Sequence, residues 1–191
     1  MSADEAATYH RPQLAAFATA GADLANALTL TYLAKAVGVV LAARDVGLPV
    51  TVSFTVETDG RLPDGHTLRE AVTVVDAVAP PDYFGVNCAH PTHVLAGLEP
   101  GPWRERVMAT RVNASRLSHA ELDSADDLDE GDPEALAVDQ ADLTDRLPAL
   151  TVLGGCCGTD ARHVRALWGR RPPDGPYQRS RISASSSRRP V

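Results

Sequence analysis

Five short apolar runs alternate with helical patterns between residues 22 and 169, and this alternation constrains the fold more than any other feature of the sequence. The clearest run is Val50-Thr-Val-Ser-Phe-Thr-Val56, which is rich in the β-branched residues that favour strands. Apolar residues at helical spacing fill the intervals, as in Leu68–Val78. Such βα units predict an α/β protein with a parallel sheet and helices outside it. The predicted strands are residues 22–31, 50–56, 83–88, 107–113 and 150–157.

All three cysteines follow predicted strands. Cys88 closes the run that begins at Tyr83, and Cys156 and Cys157 follow the run that begins at Thr151. Because the carboxyl ends of parallel strands lie on one side of the sheet, where sites form in this class of fold, we expect the three thiols to lie together. Three thiolates suit zinc and leave a fourth position open for a substrate. The sequence therefore predicts a zinc site made by Cys88, Cys156 and Cys157.

The adjacent cysteines raise a geometric difficulty, because neighbouring residues of a regular strand point to opposite faces of the sheet. Both can reach one ion only if the strand distorts there. The glycines that frame the pair, Gly154, Gly155 and Gly158, are predicted to give the backbone that freedom. Two other interpretations stay open: the cysteines are small buried apolar residues, or the adjacent pair is redox-active.

The body of the chain is acidic. Residues 1–169 carry 12 basic and 24 acidic side chains, residues 170–191 carry six arginines against one aspartate, and the net charge is −7. An acidic body argues against nucleic acid as a partner, and no apolar run is long enough to cross a membrane. Residues 170–191, rich in Arg, Ser and Pro, are predicted to form a disordered tail. With no signal peptide and no disulfide pattern, we expect a cytoplasmic protein.

Two motifs resemble a known family. Gly85-Val-Asn-Cys88 and Gly154-Gly-Cys-Cys-Gly-Thr159 are similar to the two zinc motifs of the homocysteine S-methyltransferase family. Weaker similarity extends over roughly residues 9–168 and includes Tyr9-His10, the strand entry at Gly21-Ala-Asp23 and Asn113. These segments predict one domain over residues 1–169.

The resemblance implies a (β/α)8 TIM barrel in which zinc is held by the thiolates of Cys88, Cys156 and Cys157. It also implies an enzyme, a transferase that moves a methyl group from a donor to a small-molecule thiol such as homocysteine and so gives methionine. The donor would be cationic, a sulfonium or a quaternary ammonium. Zinc would hold the substrate sulfur as a thiolate.

The chain departs from the family pattern in two ways. Only five strands are predicted, so we expect a partial barrel that lacks about the first three βα units. Three explanations stay open: a misplaced start, a partial chain for which a second copy or a partner subunit supplies the missing strands, or a degenerate remnant. Leu28 stands where the family carries a glutamate that helps hold the amino group of the substrate. These departures favour an alternative function, a non-catalytic or degenerate partial barrel that binds zinc or a partner subunit.

Further site residues are predicted from their position after strands. Asn87, Asn113 and Glu57 are predicted to bind substrate. His90 and His93 follow Cys88 closely. Two interpretations fit them: they line the pocket, or they start a helix. His119 is interpreted as an ion-pair partner within its loop, and the acidic run from Asp126 to Asp132 as a solvated face.

Overall fold

The computed structural model describes residues 1–169, and the predicted disordered tail lies outside the described residues. Within this range, five strands form one sheet in the order β1-β2-β3-β4-β5, and every neighbouring pair is parallel. The strands are β1 (Ala25–Leu30), β2 (Val50–Phe54), β3 (Phe84–Asn87), β4 (Val107–Val112) and β5 (Val152–Gly155). Each predicted strand is present but shorter: β1, β3 and β5 begin later than predicted, and all five strands end one or two residues earlier. After β3 and β5, the residues beyond the strand end include the three cysteines.

The connections are mostly helical, as parallel pairing requires. The helices are α1 (Ala3–Thr19), α2 (Leu33–Asp45), α3 (Leu68–Val78), α4 (Pro91–Ala96), α5 (His119–Asp123), α6 (Pro133–Arg146) and α7 (Ala161–Gly169). A 3₁₀ helix, Pro102–Arg106, precedes β4. The sequence pattern did not predict this turn or α5, since both are too short to show helical periodicity. The predicted α/β class and partial (β/α)8 barrel are confirmed.

The core lies between the sheet and its helices. All residues of β2 and β3 are buried, whereas in edge strand β1 only the two end residues, Ala25 and Leu30, are buried. Phe54 and Phe84 stack with their ring centroids 6.2 Å apart at the centre of the sheet. Central parallel strands are covered on both faces, which explains why their sequences are apolar and β-branched rather than strictly alternating.

Helices α1 and α2 pack closely through small residues. A Cβ atom added to Gly38 of α2 would lie 2.6 Å from the Cβ atom of Ala6 and 2.8 Å from the backbone nitrogen of Ala7. Only glycine therefore permits this approach of the two helices. Within residues 1–169, no helix has both the length and the apolar character needed to cross a membrane.

Candidate metal centre

The three cysteines come together at the carboxyl ends of two strands that are not neighbours. Cys88 directly follows β3, and Cys156 and Cys157 directly follow β5, with β4 between them. The sulfur of Cys88 lies 3.4 Å from that of Cys156 and 3.5 Å from that of Cys157. The sulfurs of Cys156 and Cys157 are 4.0 Å apart. The fold therefore brings together three thiols from two parts of the chain that are almost 70 residues apart.

These distances fit a zinc ion. Zinc binds thiolate sulfur at about 2.3 Å, so two sulfurs of one tetrahedral site lie about 3.8 Å apart. The observed separations bracket that value. Within residues 1–169, these cysteines are the one set of three or more Cys, His, Asp or Glu side chains whose ligand atoms lie close enough together to share an ion. The donor set suits a soft or borderline metal.

The turn after β5 explains how adjacent cysteines reach the same point. The strand ends at Gly155, and the backbone N–H of Cys156 still donates to the Val112 carbonyl at 2.7 Å. The carbonyl of Cys156 then accepts from the backbone N–H and the hydroxyl of Thr159, at 3.1 Å and 2.7 Å. Both sulfurs therefore extend from a tight turn, and the alternation of strand side chains no longer applies.

The framing glycines have different roles, which corrects the prediction that all three provide conformational freedom. Gly158 has a φ of +75° and does provide it. Gly155 instead leaves room for the Thr159 side chain, which would overlap any added Cβ atom. An added Cβ atom at Gly154 would meet only the Arg111 side chain, at an ordinary distance of 3.6 Å.

Contact between the sulfurs shifts the pKa values of Cys88 and Cys156 in opposite directions. The hydrogen-bonding contact with Cys156, together with burial and the contact with Cys157, raises the pKa of Cys88. The same contact with Cys88 lowers the pKa of Cys156, and burial opposes that effect.

Cys88 has an unusual backbone conformation. Its φ is +59°, and within the described residues only Thr29 is another non-glycine residue in this region. The carbonyl of Cys88 accepts from His119 Nε2 at 2.7 Å and from Thr55 Oγ1 at 3.2 Å. Its N–H donates to the carbonyl of Arg111 at 3.0 Å. Both the backbone N–H and the carbonyl of Cys88 therefore have hydrogen-bond partners.

The residues predicted to bind substrate all lie around this cluster. Asn87 is buried, and its amide group accepts from the Thr29 N–H and donates to the Thr29 hydroxyl, both at 2.7 Å. Asn113 is also buried, and its side-chain oxygen accepts from the Cys157 N–H at 3.2 Å. Glu57 Oε1 lies 3.1 Å from His119 Nδ1, and the Glu57 side chain is 38% exposed. Of the three, Glu57 alone presents a sizeable polar surface to solvent.

The three histidines near the cluster have separate roles. His90 caps α4, with its Nδ1 atom 2.8 Å from the Thr92 hydroxyl, and burial lowers the pKa of His90 to about 4. His93 Nε2 lies 3.0 Å from the Arg116 carbonyl. For His119, burial lowers the pKa, but the hydrogen bonds to Cys88 and Glu57 outweigh it and leave the pKa raised. The prediction of an ion pair within the loop of His119 is wrong about the partner, which is Glu57 in the loop after β2. The contact of His119 with Cys88 was not predicted, because no local pattern links residues 31 positions apart.

Leu28 lies within edge strand β1. It lines a groove of about 310 Å³ at edge strand β1, together with His10, Gln13 and Lys35. Leu28 is 39% exposed. The position that departs from the family pattern is therefore on β1, one of the two edge strands of the sheet within residues 1–169.

Comparison with known proteins gives two findings. The sequence model of the homocysteine S-methyltransferase family matches residues 1–170. The fold is similar to solved structures of the homocysteine methyltransferase MmuM from Escherichia coli: the apo form at 21% identity with a TM-score of 0.65, and the metallated form at 21% identity with a TM-score of 0.66. Each match covers 90% of this chain. The chain spans 58% of the length of the apo structure and 53% of the metallated one.

Proposed function

The chain belongs to the homocysteine S-methyltransferase family, and from that premise we propose that it transfers a methyl group to a small thiol such as homocysteine, giving methionine. Zinc held by Cys88, Cys156 and Cys157 would be the cofactor. The observation that carries the proposal is the convergence of these sulfurs, which lie 3.4 to 4.0 Å from one another. When bound, zinc lowers the pKa of a coordinated substrate thiol and keeps it in the thiolate form.

The protein residues supply a frame for this chemistry. The substrate thiolate attacks the methyl group of a cationic donor, a sulfonium or a quaternary ammonium. A sulfur–carbon bond forms while the bond from the methyl carbon to the donor breaks, and the donor leaves as a neutral sulfide or amine. Asn113 and Thr159 hold the turn that carries two of the sulfurs. Such supports keep the sulfurs in place without touching the reacting atoms.

Substrate binding by Glu57, Asn87 and Asn113 stays a prediction. Glu57 has the exposed carboxylate needed to pair with the ammonium group of an amino-acid substrate. The amide groups of Asn87 and Asn113 already make hydrogen bonds within the protein. We therefore propose that Glu57 contacts the substrate and that the two asparagines act mainly by holding the strand ends.

Zinc content and methyl transfer test the proposal. The fully reduced protein is expected to bind one zinc ion per chain and to form methionine from homocysteine and a sulfonium donor, followed by mass spectrometry. Cys157→Ala should lose zinc binding, because two thiolates and water hold the ion far more weakly. His66→Ala is a matched control, since His66 is exposed, pairs with Asp64 and is not one of the clustered ligands. Zinc well below one ion per chain in the reduced protein would contradict the metal assignment.

A second function is favoured by the exposed edge of the sheet and by Leu28. Here the chain would be a non-catalytic partial barrel that binds zinc or a partner subunit, either a second copy or a chain that pairs with β1. Zinc binding without methyl transfer by the purified chain supports this alternative. Methionine formation by the purified chain alone would rule it out.

A further inference from the structure

We propose that His119 is a positioning residue for the metal centre: its Nε2–H holds the carbonyl of Cys88 and thereby fixes the backbone conformation that directs the Cys88 sulfur toward Cys156 and Cys157. His119 would touch neither the metal nor the substrate. The inference rests on the proposed function, because the purpose of the positioning is to assemble the three-thiolate site.

The first step of the argument is the strain at Cys88. A φ of +59° brings the Cβ atom of an L-residue close to its own carbonyl oxygen, which is energetically unfavourable. Glycine would avoid that cost but has no sulfur. A non-glycine residue keeps such a conformation when the surrounding structure imposes it. A cysteine in this conformation keeps its sulfur, and neighbouring groups must fix its backbone.

The second step identifies what fixes it. A carbonyl oxygen only accepts hydrogen bonds, so the contact of 2.7 Å requires that His119 Nε2 carries a hydrogen and donates it to Cys88. Thr55 Oγ1 donates to the same oxygen over a longer distance of 3.2 Å. The shorter bond comes from the histidine, which makes His119 the stronger constraint on the peptide unit that follows Cys88.

The third step concerns the orientation of the imidazole ring. Glu57 Oε1 lies 3.1 Å from His119 Nδ1, on the opposite side of the ring from Cys88. The backbone of His119 is ordered as well, because Ser118 and Glu121 form a capping box at the start of α5. Helix α5 therefore positions His119, and Glu57 in the loop after β2 orients its ring. The oriented ring in turn fixes the carbonyl of Cys88 at the end of β3.

Direct ligation by His119 does not fit these contacts. Both ring nitrogens have partners, Glu57 on one side and the Cys88 carbonyl on the other. His119 is also absent from the group of side chains whose ligand atoms lie close enough to share an ion. His119 therefore contacts the candidate ligand Cys88 and does not contact the metal itself. Substitution of residues that support a metal ligand in this way typically lowers metal affinity by about 10–100-fold.

A matched pair of substitutions tests the role. Glutamine and methionine have similar size and flexibility, but only glutamine has an N–H that can replace the Nε2–H of histidine. Zinc affinity, measured by competition with a chromophoric chelator, should fall by about 10–100-fold in His119→Met and be largely retained in His119→Gln. His66→Met, at an exposed histidine away from the cluster, should bind zinc like the parent protein.

A second measurement needs no metal. In the reduced, zinc-free protein, the NMR coupling between the amide and α protons of Cys88, together with its Cα chemical shift, reports φ. The signature of a positive φ should persist in His119→Gln and disappear in His119→Met. Circular dichroism checks that both variants fold, and if His119→Met does not fold, Thr55→Val with His119→Gln tests whether loss of a donor to the same carbonyl shifts φ and weakens zinc binding.

The outcomes separate this inference from the proposed function. Failure of the parent protein to bind zinc overturns the proposed function, and the positive φ of Cys88 in the zinc-free variants then still tests the role of His119. An unchanged Cys88 φ in folded His119→Met, or equal zinc affinities of the Met and Gln variants, overturns the positioning role while leaving the metal site intact.

Discussion

Two strained residues show how individual side chains shape this site. Thr29 and Cys88 have φ values of +57° and +59°. Thr29 lies at the irregularity of the β1 ladder between Ala27 and Leu30, and Cys88 directly follows β3. Asn87 holds Thr29 through both atoms of its amide group, and His119 holds Cys88 through its carbonyl. Since such conformations persist only under external constraint, the polar residues at the strand ends act as that constraint.

Asp160 has a comparable role at the start of α7. Its carboxylate accepts from the Arg162 N–H at 2.8 Å and lies 2.9 Å from Nδ1 of the buried His163. The contact with His163, followed by that with Arg162, lowers the pKa of Asp160 well below its ordinary range. Because α7 directly follows the cysteine turn, this ionised cap orders the far side of the site.

The cap predicts a pH-dependent difference in stability. Since the folded pKa of Asp160 is depressed, its ionised form stabilises the protein fully above the unfolded pKa of about 3.9, and this contribution is lost as the pH falls toward the lower folded pKa. Asp160→Asn should therefore unfold at a lower urea concentration than the parent protein at pH 7. The gap between the two midpoints should narrow below about pH 4. A gap that is constant across pH would contradict a role for the charge.

At the scale of elements, packing between segments decides what each segment does. The acidic run was predicted to be a solvated face, and most of its residues are exposed. Asp129, however, accepts a hydrogen bond from the Ser115 hydroxyl, and its own carbonyl packs against Gly158 in the cysteine turn. The Glu130 carbonyl lies 2.8 Å from Nε2 of His163. This segment therefore braces the turn while its other carboxylates remain in solvent.

Close contact between α1 and α2 gives a second prediction. Gly38→Ala places a Cβ atom against Ala6 and the backbone of α1. The resulting overpacking should cost about 1–3 kcal/mol, against a helix-propensity gain of about 1 kcal/mol. We expect a lower free energy of unfolding by chemical denaturation.

The matched control is Gly169→Ala at the end of α7, where no described atom lies within 4 Å of the added Cβ atom. There the same substitution should leave stability unchanged or raise it slightly. Equal effects of the two substitutions on the free energy of unfolding would show that the close contact between α1 and α2 does not require glycine at position 38.

At the scale of the whole molecule, the site connects distant parts of the sheet. Cys88 follows β3 and the other two cysteines follow β5, so one ion would join the ends of two strands separated by β4. The unfolded chain does not hold these sulfurs together. Metal binding should therefore favour the folded state by mass action.

Zinc is accordingly expected to raise the thermal unfolding midpoint. Free zinc at one hundred times the dissociation constant adds about 2.7 kcal/mol, which corresponds to a shift of about 5–10 °C for a domain of this size. Differential scanning fluorimetry of reduced protein with and without zinc measures the shift. Cys88→Ala should show almost none, and excess chelator should reverse it in the parent protein. An equal shift in Cys88→Ala would place the stabilising ion elsewhere.

Local sequence patterns predicted the strands, most helices and the position of the cysteines at strand ends. Such information lies within a few residues: β-branched apolar runs define strands, apolar spacing defines helices, and glycine marks tight turns. The parallel direction of the strands follows from the alternation, since each helical crossover returns the chain to the same end of the sheet, whereas their sequential order was implied only by the family resemblance. From these rules alone, the three thiols were expected to meet.

Tertiary structure alone decided which residues support the thiols. His119 reaches Cys88 across 31 positions, Asn113 reaches Cys157 across 44, and Asn87 reaches Thr29 across 58. No local pattern encodes such pairs, because each depends on the curvature of the sheet and on where a neighbouring loop returns. The candidate ligands are therefore readable from the sequence, whereas the hydrogen bonds that orient them exist only once the strands are packed side by side.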